Sequence, residues 1–217
     1  MAKHITINVI NVTKIMKKQA VLSNINMTFE AGKIYGIVGH NGSGKTMLFK
    51  SICGFIKPTS GEITVWDQSI GKKSVFPEHV GVLLETPGFL PHKSGLENLA
   101  YLAFINNKIN KAQIKDSLAK VGLQPDDNKK VKNYSLGMRQ RLGIAQAIME
   151  QPKIIILDEP MNALDQDGIQ LITNMLLNKK KEGCTILLAT HHESDIHSLC
   201  DYVYRLENGV IREEFAL

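Results

Sequence analysis

The chain has 217 residues, of which 43% are hydrophobic and 22% charged, the balance of one compact globular domain that needs no disulfides to hold its core. Its net charge of +5 is scattered in short groups, Lys17-Lys18, Lys72-Lys73, Lys129-Lys130 and Lys179 to Lys181, which read as solvated loops and helix ends and point to no nucleic-acid partner. Cys53, Cys184 and Cys200 are odd in number and lack metal spacing, and no apolar run approaches the ~20 residues that span a bilayer.

Residues Met1 to Ile10 alternate apolar and polar types instead of forming the continuous run of a signal peptide. The expectation is therefore a cytoplasmic chain, with any membrane crossing done by another subunit. Ile5 to Ile10 and Ile25 to Phe29 read as strands by their period of two, and Glu62 to Trp66 as another after the turn at Pro58 to Gly61. Together they predict a small antiparallel sheet. Ile34 to Val38, Val80 to Leu84, Ile154 to Leu157 and Thr185 to Ala189 are short, aliphatic and unalternating, the pattern of parallel strands buried on both faces. Between the second and third of these, Ser94 to Glu150 reads as helical, opened by the capping box Ser94-Gly95-Leu96-Glu97. Tyr202 to Leu206 and Val210 to Glu213 around Asn208-Gly209 predict a closing hairpin.

The eight residues Gly39-His40-Asn41-Gly42-Ser43-Gly44-Lys45-Thr46 fit the phosphate-loop pattern, after a predicted strand and before the helical Met47 to Cys53. The glycines let successive N–H groups face one anion, and the following helix adds its positive end. Lys45 would reach the β- and γ-phosphates of ATP, and the Thr46 hydroxyl would ligate the bridging Mg²⁺.

The segment Lys153 to Pro160 ends an aliphatic strand in two carboxylates, Asp158 and Glu159, where ligands of open α/β sheets gather. It resembles a Walker B motif: Asp158 would hold Mg²⁺, and Glu159 would orient or deprotonate the attacking water.

Asn133-Tyr134-Ser135-Leu136-Gly137-Met138-Arg139-Gln140-Arg141-Leu142, about fifteen residues before that strand, resembles the signature motif of ATP-binding cassette (ABC) ATPases. Ala163-Leu164-Asp165 resembles their D-loop and Thr190-His191 their switch histidine. The resemblance implies an α/β P-loop ATPase spanning 1–217: a mainly parallel core of about 1–85 and 151–217, an antiparallel β subdomain, and a helical subdomain of about 86–150. It implies Lys45, Glu159 and His191 as catalytic residues. It also implies a head-to-tail dimer, of two copies or with another ATPase subunit, in which Ser135, Leu136, Gly137 and Met138 meet the partner's ATP. A separate transmembrane permease subunit is implied too, placing the chain on the inner face of the cell membrane.

Three positions depart from the family pattern. The usual Leu-Ser-Gly-Gly-Gln is Tyr134-Ser135-Leu136-Gly137-Met138, Met16 stands where an aromatic ring commonly stacks on adenine, and Glu85 replaces the Q-loop glutamine. Met16 is still expected to pack on the base, and Glu85 to join the metal site. Glu85 to Phe89 with Ser135 to Met138 is similar to the ATPase subunits of peptide-antibiotic and lantibiotic export and immunity transporters. Phe89, Leu90 and Phe104 are the expected permease contacts. The alternatives are a degenerate cassette that clamps ATP without hydrolysing it, or a non-transport ABC ATPase.

Overall fold

The computed structural model describes residues 5–71, 76–85 and 87–217; Lys72, Lys73 and Thr86 lie outside the described residues. The chain opens with β1 (Ile5–Met16) and β2 (Gln19–Glu30). Both run longer than their alternation suggests, for a physical reason. The β1–β2 register shifts between Val9 and Val12, and Asn11 sits at φ 50, so a bulge breaks the period of two midway along one continuous strand. With β4 (Ser60–Val65) and β5 (Gln68–Ser69) these strands make a sheet of order β2-β1-β4-β5, antiparallel throughout.

The second sheet has the order β10-β9-β3-β8-β7-β6. It contains β3 (Ile34–Val38), β6 (Val80–Leu83), β7 (Ile154–Asp158) and β8 (Thr185–Thr190). A hairpin of β9 (Tyr202–Glu207) and β10 (Val210–Ala216) completes it. The hairpin turns at Asn208 and Gly209, both with positive φ of 48° and 76°, the pair of conformations that matches strand twist. Strands β6, β7, β8, β3 and β9 are mutually parallel, and only β10 runs against its neighbour.

The central strands β3, β7 and β8 are buried at every position and mainly aliphatic because both faces are covered. Ile155, Leu157, Ile186 and Leu188 point into one core, and Ile154, Ile156, Leu187 and Ala189 into the other. Burying each such side chain contributes about 1.5–3 kcal/mol, so truncating the wholly buried Ile156 to alanine costs about 2–5 kcal/mol.

The first core is shared with helices α2 (Gly95–Asn106), α3 (Lys111–Lys120) and α4 (Leu136–Ile148). The sequence expectation of one helical stretch resolves into these helices and a short 3-10 turn at Val131–Asn133. The capping box at the start of α2 is present in both directions: Glu97 N–H donates to Ser94 Oγ at 3.2 Å, and Ser94 N–H donates to Glu97 Oε2 at 2.7 Å. The remaining helices are α1 (Lys45–Ile52), α5 (Gln166–Lys181) and α6 (Glu193–Leu199). Cys53, Cys184 and Cys200 are all buried free thiols, and burial pushes those of Cys53 and Cys200 up to about 12. Among the described residues no helix is long and apolar enough to cross a membrane.

Candidate nucleotide-binding site

Because β3, β8 and β7 are parallel neighbours, the segments that leave their carboxyl ends converge at one edge of the sheet. The phosphate loop leaves β3, Asp158 and Glu159 end β7, and His191 follows β8. A cleft of about 750 Å³ opens there, lined by Asn41 to Met47, Asp158 and Glu159, with Glu85 and Gln140 on its walls. Gly44 caps α1 at φ 110, a backbone state that a side chain would strain. This turn brings the amino end of α1 to the cleft and starts the helix with Lys45 and Thr46.

Lys45 is buried, with 6% of its side chain exposed, and its ammonium is held by the loop. Nζ donates to Gly39 O at 2.7 Å and to His40 O at 3.4 Å, and pairs with Glu159 Oε1 at 3.4 Å. Thr46 Oγ1 donates to Asp158 Oδ2 at 2.5 Å. Burial raises the Asp158 carboxyl above its ordinary value; Thr46 and Lys45 oppose the rise, and the negative charges of Glu159 and Glu85 add to it. Glu159 is itself in the left-handed region at φ 51. Its backbone N–H donates to Ala189 O at 2.9 Å, and Gln140 Nε2 donates to the carbonyls of Glu159 and Pro160, both at 3.1 Å. These bonds tie a sparsely populated backbone state to β8 and to α4.

His191 Nδ1 lies 2.9 Å from Glu159 Oε2. A carboxylate oxygen only accepts, so this bond puts the ring proton on Nδ1. The glutamate thus hydrogen-bonds His191 through Oε2, while Oε1 faces Lys45 as an ion pair and accepts no hydrogen bond among the described residues.

The residues fit Mg-ATP by their donors and by their gaps. Ser43 Oγ is buried without a hydrogen-bond partner among the described residues, as expected of a loop shaped around an absent acceptor. No three His, Cys, Asp or Glu side chains gather as a ready-made metal site among those residues. One hydroxyl and one carboxylate at the loop match a cation that draws its other ligands from phosphate and water.

The structure brings together most of the residues expected from sequence, with exceptions. Met16 is 41% exposed at the end of β1 and is not among the residues lining the cleft, where Gln19, Ala20 and Val21 of β2 stand instead. The hairpin carries the chain past Met16 before turning β2 toward the phosphate loop. His40 contributes its carbonyl to Lys45 while its ring contacts Asn41 O. The Glu85 carboxylate, expected at the metal, is bound to Lys50 Nζ at 2.6 Å. Ser135, Gly137 and Met138 line a neighbouring cavity of about 450 Å³ with Leu164 and Asp165, and Leu136 and Ala163 line both it and the cleft. There Ser135 caps α4, accepting from Met138 N–H at 3.1 Å. Asp165 caps α5 by accepting from Gly168 N–H and also pairs with Arg141 Nη2, both at 2.9 Å. Gln140, Lys50 and the Gln19 to Val21 segment carry no local sequence signal for their roles.

Fold and site together define a nucleoside triphosphatase of the phosphate-loop class. Residues 22–162, more than half of the chain, match the ABC transporter family, and the chain belongs to it as an ATP-binding, ATP-hydrolysing subunit. It is 46% identical over 203 residues to the ABC transporter ATP-binding protein YybJ of Bacillus subtilis (strain 168), covering 94% of this chain and 93% of that one. It is 38% identical over 207 residues to the bacitracin transport ATP-binding protein BcrA of Enterococcus faecalis, covering 94% of this chain and 67% of the relative. The dimeric post-hydrolysis structure of the ATP-binding cassette MJ0796, bound to ADP and Pi, superposes with a TM-score of 0.85 at 24% identity over 97% of this chain and 98% of that one. That likeness extends to the fold.

Proposed function

We propose that this subunit hydrolyses Mg-ATP to drive a separate membrane permease that moves a peptide antibiotic, and that Glu159 is the general base. The observation that carries the catalytic part is the Glu159 carboxylate at the floor of the cleft, beside the Thr46–Asp158 pair and bridged by Lys45 and His191. The phosphate-loop N–H groups and Lys45 would bind the β- and γ-phosphates. Thr46 and Asp158 would hold Mg²⁺, which when bound neutralises phosphate charge. Glu159 takes a proton from water as its oxygen bonds to the γ-phosphorus and the bond to ADP breaks.

Dimerisation would set Ser135, Leu136, Gly137 and Met138 of one copy against the nucleotide of the other. Support comes from the place of Ser135 at the start of α4, where free N–H groups and the helix dipole favour an anion. The peptide-antibiotic reading rests on the similarity to BcrA and on the Glu85 and signature departures. Attachment to a permease would hold the chain on the cytoplasmic face of the membrane.

Glu159→Gln keeps the shape of the base but cannot take the proton. Phosphate release should fall by roughly 10²- to 10⁴-fold while ATP affinity persists, and size-exclusion chromatography should show an Mg-ATP dimer. A variant that hydrolyses within a few-fold of the parent would remove Glu159 from the role. Uptake or resistance assays with a peptide antibiotic, in cells expressing the subunit with its permease, test the substrate class.

A further inference from the structure

Glu85 follows β6, lines the nucleotide cleft and sits at φ 56. Lys50 lies on α1 four residues after Thr46, hence on the same face of that helix. Their side chains meet at 2.6 Å, with Lys50 26% and Glu85 62% exposed. A pair this open contributes little to stability. Its consequence is the placement of charge. A lone carboxylate on the cleft wall would repel the phosphates, and it already acts on Asp158 in that sense.

We propose that Lys50 is the positioning residue that makes Glu85 tolerable in this site: it draws the carboxylate toward α1 and cancels its charge, so the wall facing the phosphates stays neutral. This rests on the ATP-binding reading above. Replacement of the neutral side chain common at this position by glutamate then requires a cation within reach, and Lys50 supplies it from the helix that begins at the phosphate loop. Lys50 acts through Glu85 and makes no contact of its own with the nucleotide.

The decisive measurement is ATP affinity without metal, by calorimetry in EDTA at fixed ionic strength, across a cycle of variants. Lys50→Met leaves Glu85 uncompensated and should weaken ATP binding roughly three- to tenfold, the scale of one like charge at about a nanometre in a partly solvated site. Lys50→Met with Glu85→Gln restores neutrality and should return affinity to within about twofold of the parent. Lys50→Arg should match the parent. The Lys50→Met loss should also shrink in 0.5 M salt, roughly to half or less, because exposed charges are screened.

Affinity in Lys50→Met equal to the parent would overturn the proposal. So would a double variant as weak as Lys50→Met, since Lys50 would then act on the phosphates by itself. A parent that binds no ATP would instead defeat the nucleotide-site reading, and this inference with it. The open position of the pair makes misfolding of these variants unexpected, and matching thermal melts check it.

Discussion

His191 Nδ1 and Lys45 Nζ grip opposite oxygens of Glu159, at 2.9 Å and 3.4 Å. His191 anchors Oε2 by a hydrogen bond, whereas Oε1 is buried and accepts none among the described residues, held by the charge of Lys45 alone. The arrangement means that phosphate must compete with Glu159 for the Lys45 ammonium, whose other partners are the Gly39 and His40 carbonyls.

His191→Ala should therefore act on the chemical step through Glu159. With one oxygen released the base loses orientation, and turnover should fall about 10- to 100-fold, while ATP affinity, set by the phosphate loop, stays within about twofold. Adding Glu159→Gln to His191→Ala should cost much less than it does in the parent, because the two groups act as a unit. Additive losses in single-turnover phosphate release would refute that unit.

The elements that line the candidate site were legible in the sequence where chemistry fixes residue type and spacing together. Gly39 to Thr46 must bend around phosphate, and Asp158-Glu159 must end a buried strand, so both stand out without knowledge of contacts. The strands β3, β7 and β8 were legible for a related reason, since burial on both faces favours runs of aliphatic residues, and β6 reads the same way at the edge of the sheet. The Lys50–Glu85 pair was not legible, because 35 residues separate its members and only the tertiary fold brings the end of β6 to the cleft that α1 opens. Gln140 is similar: an amide on a helix has no local mark of the carbonyls of Glu159 and Pro160 that it reaches. For Met16, the register of β1 against β2, shifted by bulges, decides how far its side chain stands from the cleft lining of Gln19, Ala20 and Val21.

Gly137 tests the signature region by its lack of a side chain. A Cβ there would lie 2.8 Å from Ala163 O, in the segment leading to Asp165, and backbone rather than a flexible side chain would have to move. Alanine is the better helix former by about 1 kcal/mol, so Gly137→Ala should leave the melting temperature within about 3 °C of the parent. ATP hydrolysis should nonetheless drop by roughly tenfold as the two segments part, as for other small misplacements at a site. Parent-like turnover would show that this closeness is not needed.

Glu97 gives the fold a pH dependence of known sign. The Ser94 backbone N–H, then Lys130, and to a smaller extent Lys93, hold its carboxyl down at about 2 from 4.5. A depressed folded value contributes stability that is present above 4.5 and lost as pH falls toward 2. Glu97→Gln should lower the urea midpoint at pH 7, and the gap to the parent should close progressively between pH 4.5 and 2. Because the site is exposed, salt should narrow the gap at pH 7 as well. A gap that stays constant down to pH 2 would mean that the charge of Glu97 does not stabilise α2.

The outer face of α2 should carry the contact with the permease. Tyr101, Phe104 and Ile105 are 50%, 83% and 76% exposed, and their spacing of three and four residues puts them on one side of the helix. Leu90, 52% exposed, is fastened to the start of α2. Its N–H donates to Asn98 Oδ1 at 2.7 Å, and its carbonyl accepts from Asn98 Nδ2 at 3.2 Å. Phe89, also expected from sequence as a contact with Leu90 and Phe104, is partly buried and packs one side against the core. Apolar side chains grouped this way on a rigid helix mark an interaction surface. Phe104→Ser with Ile105→Ser removes apolar area that water already reaches, so stability should change by no more than about 0.5 kcal/mol per site. Basal hydrolysis by the free subunit should also be unchanged, since neither residue lines the cleft. Recovery of the membrane subunit on an affinity-tagged variant should fall several-fold, and hydrogen exchange in α2, slowed by the permease in the parent complex, should speed up. Full recovery of the permease with unchanged exchange would move the docking surface elsewhere on the chain.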